Sequence, residues 1–160
     1  MTTTQEYNLK YTSYDIVFQE IPGETTLAIN ISNCPNRCKG CHSPYLQEDK
    51  GETLTFDKLC CIINKYIPAI TCVCFMGGDI SPLKINELAE KIRTIYKIKT
   101  GWYSGKPEIA EEINIYNFDF IKTGPYIERL GGLSSPLTNQ RFYIISNGNM
   151  ILSNKTFIKK

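Results

Sequence analysis

The spacing of apolar positions changes along the chain and predicts its elements. Ile16–Gln19 and Leu27–Ile31 are short apolar runs flanking the turn residues Pro22 and Gly23, the pattern of two strands. From Phe56 to Ile67 the period becomes helical. Phe56, Leu59, Cys60, Ile63 and Ile67 share one face, and Thr55 stands as the cap. Pro68 closes that segment, and Thr71–Met76 (TCVCFM) is an unbroken apolar run, as in a strand buried on both faces. Ser81 before Pro82 opens a second helix, which turns Leu88, Ile92 and Ile95 inward and pairs Glu87 with Lys91 outside. Thr100–Ser104 predicts a further strand, Pro107–Ile115 a short helix and Phe118–Thr123 another strand. An irregular Gly-, Ser- and Pro-containing stretch runs to Thr138. Arg141–Ser146 and Met150–Leu152 then form a hairpin around Asn147-Gly148.

Strands alternating with helices imply βαβ units and a mostly parallel sheet. About four units fit, too few for a closed eight-stranded barrel of about 250 residues. The expected fold class is α/β, an open partial (β/α) barrel with its ligand at the C-terminal strand ends. No linker, charge block, low-complexity tract or repeat divides the chain, so residues 1–160 are expected to form a single domain. A hydrophobic share of 42% and a charged share of 21% are ordinary for a globular protein. A net charge of +2 gives no footprint for nucleic acid or a membrane surface. The longest apolar runs fall far short of the roughly 20 residues needed to span a bilayer. The polar stretch Met1–Lys10 is unlike a signal peptide. The expectation is a soluble, untargeted, cytoplasmic protein.

Cysteine changes the picture. There are seven, so complete internal pairing is excluded, and a cytosolic pool would keep them reduced. Cys60, Cys61, Cys72 and Cys74 sit among apolar residues and read as small hydrophobes. Cys34, Cys38 and Cys41 differ. They form C-x3-C-x2-C in NCPNRCKGCHSPYL, directly after the strand Leu27–Ile31. Soft thiolates grouped on one loop suit iron. A four-iron cubane normally takes four protein thiolates, so three nearby would leave one iron for a non-protein ligand. Gly40 lets the loop close and Pro35 restrains its entry. A zinc knuckle is the alternative, with His42 or a distant Cys as fourth ligand. It lacks the usual second ligand pair, and His42 follows Cys41 too closely to chelate the same ion easily.

Two further segments carry chemistry. In Phe75-Met76-Gly77-Gly78-Asp79, paired glycines at a strand end allow backbone to approach a ligand beside a carboxylate. The plainer reading is a β–α turn with Asp79 capping a helix. Lys122–Pro125 and Thr138–Phe142 (KTGPY…TNQRF) bracket a loop containing Gly131-Gly132 and Ser134-Ser135-Pro136, longer than a median connection. It reads equally as a functional loop or an ordinary surface loop.

C-x3-C-x2-C is the signature of the radical S-adenosylmethionine enzymes, and this segment resembles it. The CxxxCxxCH-x-P-x-L run, the Gly-Gly-Asp and the Gly-Pro-Tyr…Asn-Gln-Arg ending together resemble the anaerobic ribonucleoside-triphosphate reductase activating proteins. The likeness runs from about Tyr11 to Tyr143. It implies an open partial barrel of the radical S-adenosylmethionine type. It also implies one [4Fe–4S] cluster on Cys34, Cys38 and Cys41, with S-adenosylmethionine on the fourth iron. Gly40, Cys41, His42, Gly77, Gly78 and Asp79 would hold that cofactor, the Gly-Gly-acid turn at its amino group and His42 near the adenine. Gly40 stands where an aromatic residue is common, and Asp79 where Glu is common. The implied activity is generation of a glycyl radical on the anaerobic reductase, with flavodoxin or ferredoxin as electron donor. Tyr103 and Ser104 would lie near the site, and Gly124–Asn139, with Tyr126, Glu128 and Arg129, would help to dock the partner. The rivals are a radical enzyme acting on a small metabolite, such as a deazapurine-forming synthase, and a zinc-binding module without catalysis. A ferredoxin-like carrier is a third, but carriers ordinarily close all four iron positions with protein ligands.

Overall fold

The apolar runs assemble into one eight-stranded sheet in the computed structural model, which describes residues 8–41 and 43–158. The strands are β1 (Lys10–Val17), β2 (Thr26–Ile31), β3 (Glu52–Thr53), β4 (Cys72–Met76), β5 (Lys99–Tyr103), β6 (Phe120–Thr123), β7 (Arg141–Ser146) and β8 (Asn149–Leu152). The helices are α1 (Phe56–Asn64) and α2 (Pro82–Tyr96). Across the sheet the order is β3-β1-β2-β4-β5-β6-β7-β8. The central β2, β4, β5 and β6 are parallel. The flanking strands are antiparallel to their neighbours.

This corrects the expected open partial (β/α) barrel of the radical S-adenosylmethionine type with a mostly parallel sheet. The fold is a mixed α/β sheet in which three pairings are parallel and four antiparallel, with two α-helices among the described residues. The expected helix Pro107–Ile115 does not form. Its place is taken by bends, turns and a 3-10 turn at Ile115–Asn117. A helix of that length is marginal in itself. Here Ile109, Ile113 and Ile115 reach the core from irregular backbone, and the Asn86 amide oxygen accepts from Asn114 N–H and Asn117 Nδ2. A hairpin builds the β7–β8 edge, whereas the other edge is closed by β3, which the chain adds beside β1 after passing through the cysteine loop. Asn147 and Gly148 take φ of 52° and 76°, the left-handed pair that a tight β7–β8 turn requires.

Period-two alternation divides the sheet into two faces. Leu27, Ile29, Ile31, Val73, Phe75, Trp102 and Ile121 form one core with Leu59, Ile62 and Ile63 of α1 and Ile85, Leu88, Ala89 and Ile92 of α2. The other face carries a smaller cluster of Ile21, Cys72, Cys74, Phe120 and Phe142. Thr55 caps α1 as expected, its hydroxyl accepting from Lys58 N–H at 3.1 Å. That helix ends at Asn64 rather than Ile67, because Pro68 disfavours helical backbone before it. Ile95 is exposed, not inward, and Glu87 pairs with Lys84 at 3.7 Å rather than with Lys91. Burial pushes the Cys72 and Cys74 thiols up, in keeping with inert small hydrophobes, whereas Cys61 is exposed. No described helix is long and apolar enough to cross a membrane.

A candidate cysteine-lined ligand site

Strand register prepares a site before any loop is considered. Asn30 pairs with Met76, Met76 with Tyr103 and Tyr103 with Lys122, one row across the C-terminal ends of the four parallel strands. The neighbours Ile29, Phe75, Trp102 and Ile121 alternate toward the helices, so the row falls on the face that α1 and α2 leave uncovered. All four row residues line a cavity of about 400 Å³. Loops after the parallel strands complete it, where open α/β sheets characteristically bind ligands. Cys34, Cys38 and Cys41 all line this cavity, as do Gly77, Asp79, Gly105 and Tyr126.

The cysteine loop is fixed by its own backbone. Cys34 N–H donates to the Leu46 carbonyl at 2.9 Å, and Cys41 N–H to the Cys38 carbonyl at 3.2 Å. The sulfurs also accept: Asn36 Nδ2 lies 3.5 Å from Cys34 Sγ, and Ser43 N–H 3.4 Å from Cys41 Sγ. The three thiols share one wall. Among the described residues, however, no three His, Cys, Asp or Glu side chains are gathered closely enough to hold a metal ion. Gly40 does not line the cavity. Its φ is +74°, and a Cβ there would lie 2.8 Å from Glu128 Oε2, so bare backbone lets the 124–139 loop approach the cysteine loop. His42, expected near the cofactor, lies outside the described residues.

Asp79 ties the site together. Its carboxylate accepts from Asn36 Nδ2 at 2.6 Å, Ser104 Oγ at 2.6 Å and Gly105 N–H at 2.7 Å. The partners lie on the cysteine loop and after β5, and none belongs to α2, so Asp79 is not a helix cap. Gly77 takes φ of +107°, and its carbonyl accepts from Trp102 Nε1 at 2.7 Å. The bare Cα of Gly78 faces the core rather than a ligand: at φ +101° its Cβ would stand 2.5 Å from Ile85 Cδ1. Gly78→Val is therefore expected to destabilise the fold by about 3 kcal/mol or more, combining backbone strain with overpacking. Urea unfolding measures this, and a loss below about 1 kcal/mol would contradict the packing assigned to Gly78.

Sequence reasoning missed Asn36 and gave Lys122 no role of its own. Lys122 is 8% exposed. Its ammonium donates to the Gly124 carbonyl at 3.1 Å and lies 5.8 Å from the Tyr103 ring centroid, with no ion pair to a carboxylate among the described residues. The signal was available: a lysine inside the wholly buried strand FIKT, on the face opposite Ile121. Burial pulls the ammonium down to about 8, partly offset by Asp79, Cys38 and Cys34. Burial likewise pushes the Tyr103 phenol far above its ordinary range, while its hydroxyl donates to the Glu20 carbonyl.

The linkage has a definite sign. Below about pH 8 Lys122 is charged in both folded and unfolded chains, and folding bears the full cost of burying it. From there to about pH 10.5 only the unfolded chain keeps the proton, and the cost disappears. Iron-free Lys122→Met is expected to be about 3 kcal/mol more stable than the parent at pH 7, with the gap closing toward pH 10.5. Denaturant unfolding of both proteins across that range checks it. A gap independent of pH would contradict the buried charge.

No protein-family model, curated protein or solved structure matches the chain.

Proposed function

We propose that the chain is a glycyl-radical activating enzyme for anaerobic ribonucleoside-triphosphate reductase, working with S-adenosylmethionine and one [4Fe–4S] cluster. The carrying observation is that Cys34, Cys38 and Cys41 line one cavity with Gly77 and Asp79 at the ends of parallel strands. The reading rests on the site, since chemistry is grafted onto folds and the mixed sheet is not the barrel that the resemblance implied.

Cys34, Cys38 and Cys41 would hold the cluster. A cubane takes its thiolates on separate irons, so three thiols along one half-buried loop can serve it although they do not converge on a single ion; N–H groups lie within reach of two of the sulfurs, and a cavity in front leaves space for a non-protein ligand. A cluster held there and reduced by a flavodoxin or ferredoxin would supply the one electron that reductive cleavage of the sulfonium of S-adenosylmethionine requires. The chain's own residues bind, orient and shelter. Asp79 fixes the cysteine loop against the end of β5, and beyond its three donors a carboxylate keeps acceptor capacity for an ammonium group. Ile31, Leu46, Met76 and Leu133 give the cavity apolar walls against which a bound cofactor would pack. The test is anaerobic reconstitution with iron and sulfide, then reduction with S-adenosylmethionine. Release of 5′-deoxyadenosine supports the reading. A colourless protein with stoichiometric zinc and no cleavage overturns it.

The same reading assigns the surface beside the site to the protein partner. Lys39 of the cysteine loop and Tyr126, Ile127, Glu128 and Arg129 line an open groove of about 410 Å³. Tyr126 is half-buried and also lines the inner cavity, whereas Glu128 and Arg129 are exposed. Arg129→Ala is expected to slow radical formation on the reductase about tenfold while leaving cofactor cleavage without the partner unchanged, the signature of a recognition residue. Equal loss of both rates would contradict that placement.

A further inference from the structure

The outer side of the cysteine loop carries charge that the proposed chemistry has not used. Arg37 and Lys39 flank Cys38, and both are exposed. Lys106, also exposed, follows Gly105 at the start of the β5–β6 connection. The two segments meet: a Cβ on Gly105 would lie 2.5 Å from Asn36 Nδ2, so Arg37 and Lys106 each stand one residue from the point of contact. None of the three cations forms an ion pair among the described residues. From Asn33 to Gln47 the sequence contains no Asp or Glu that could neutralise them locally. Arg37 also takes φ of +48°, a left-handed conformation that costs any residue but glycine. Strain of that kind persists where a side chain has a use beyond folding.

We infer that Arg37, Lys39 and Lys106 form the docking face for an acidic one-electron carrier protein, a flavodoxin or ferredoxin. The inference rests on the proposed function for the cluster and adds where its electron arrives. Charge complementarity selects the occupant. Electron-transfer encounters bury little area and are steered by charge, so a few unpaired cations suffice where a stable interface would need an apolar core. A carrier seated here lies against the residues on either side of Cys38. None of the three cations lines the cavity, so the carrier need not occupy it. One electron leaves the carrier, which is oxidised by one step, and enters the cluster, which is reduced by one step. No bond forms or breaks on the three side chains.

The experiment follows reduction of the reconstituted protein by anaerobic stopped flow. The reductants are an acidic flavodoxin, an acidic ferredoxin and photoreduced deazaflavin, a small molecule with no protein surface to dock. Charge steering predicts that Arg37→Gln/Lys39→Gln/Lys106→Gln slows reduction by the carriers about tenfold or more at ~0.01 M ionic strength, and that parent and variant converge near ~1 M. Reduction by deazaflavin should stay within about twofold of the parent rate. Lys97→Gln/Lys155→Gln removes exposed cations away from the cavity and should also stay within about twofold. Arg37→Gly should weaken carrier-driven reduction yet unfold in urea no earlier than the parent, because glycine relieves the left-handed backbone. Equal slowing with deazaflavin, equal slowing in the Lys97/Lys155 control, earlier unfolding of Arg37→Gly, or unchanged carrier rates would each overturn the inference and leave the proposed function standing. A parent that deazaflavin reduces and neither carrier does overturns it too. If the parent takes up no cluster, the proposed function falls and this inference with it.

Discussion

Alanine at Cys34, Cys38 or Cys41 should each abolish iron and sulfide uptake, because the fold offers no replacement thiolate. Cys72 and Cys74 lie on the correct face of the sheet but are fully buried, and burial holds both as thiols. Cys60 and Cys61 belong to α1, which packs against the opposite face from the cavity. Losing one of three thiolates would also leave two irons of a cubane without protein ligands. Iron and sulfide counted after anaerobic reconstitution should fall to background in these three variants. They should stay near the parent value in Cys61→Ser and Cys72→Ala. Retention of the cluster by Cys34→Ala, with its loss in Cys74→Ala, would move the site elsewhere.

The second large effect is expected at Asp79. Asp79→Ala removes the acceptor of three hydrogen bonds that join the cysteine loop, the end of β4 and the start of the β5–β6 connection. Bonds to a charged group contribute about 1.5–3 kcal/mol each, and they are not additive here because they share one carboxylate. A stability loss of about 3–4 kcal/mol is expected by denaturant unfolding, with binding of S-adenosylmethionine weakened at least tenfold. Asp79→Asn keeps one carbonyl oxygen and should fall between the two. The stability measurement separates positioning from direct contact: near-parent stability with lost binding would mean that Asp79 touches the ligand without organising the loops.

Much of this was written in the local pattern. The apolar run Thr71–Met76, the helical spacing after Thr55 and Pro82, and Asn147-Gly148 each specify their element, because one period or one turn dominates there. The cysteine loop was legible from spacing alone. What failed depended on distant partners. β1 spans Lys10–Val17, although only its last residues look apolar, because Tyr11 and Ser13 are held by pairing with β2 across an irregular register. The edge strand β3 is two residues long and carries no pattern of its own. The segment expected as helix Pro107–Ile115 buries its isoleucines without one, since contact with α2 and the core decides its path. Asp79 finds Asn36 across 43 positions, a partner that no local window contains. Lys122 was visible as a letter, but only the register of four parallel strands puts it in the same row as Asn30, Met76 and Tyr103.

The central claim is that this chain makes a radical on a protein glycine. The direct measurement is electron paramagnetic resonance of an anaerobic mixture of the reduced, reconstituted chain, S-adenosylmethionine and the anaerobic ribonucleoside-triphosphate reductase of the same source. A glycyl-radical doublet should grow on the reductase with one 5′-deoxyadenosine formed per radical, and both should be absent with Cys38→Ala. Steady release of 5′-deoxyadenosine with no glycyl signal would contradict the account.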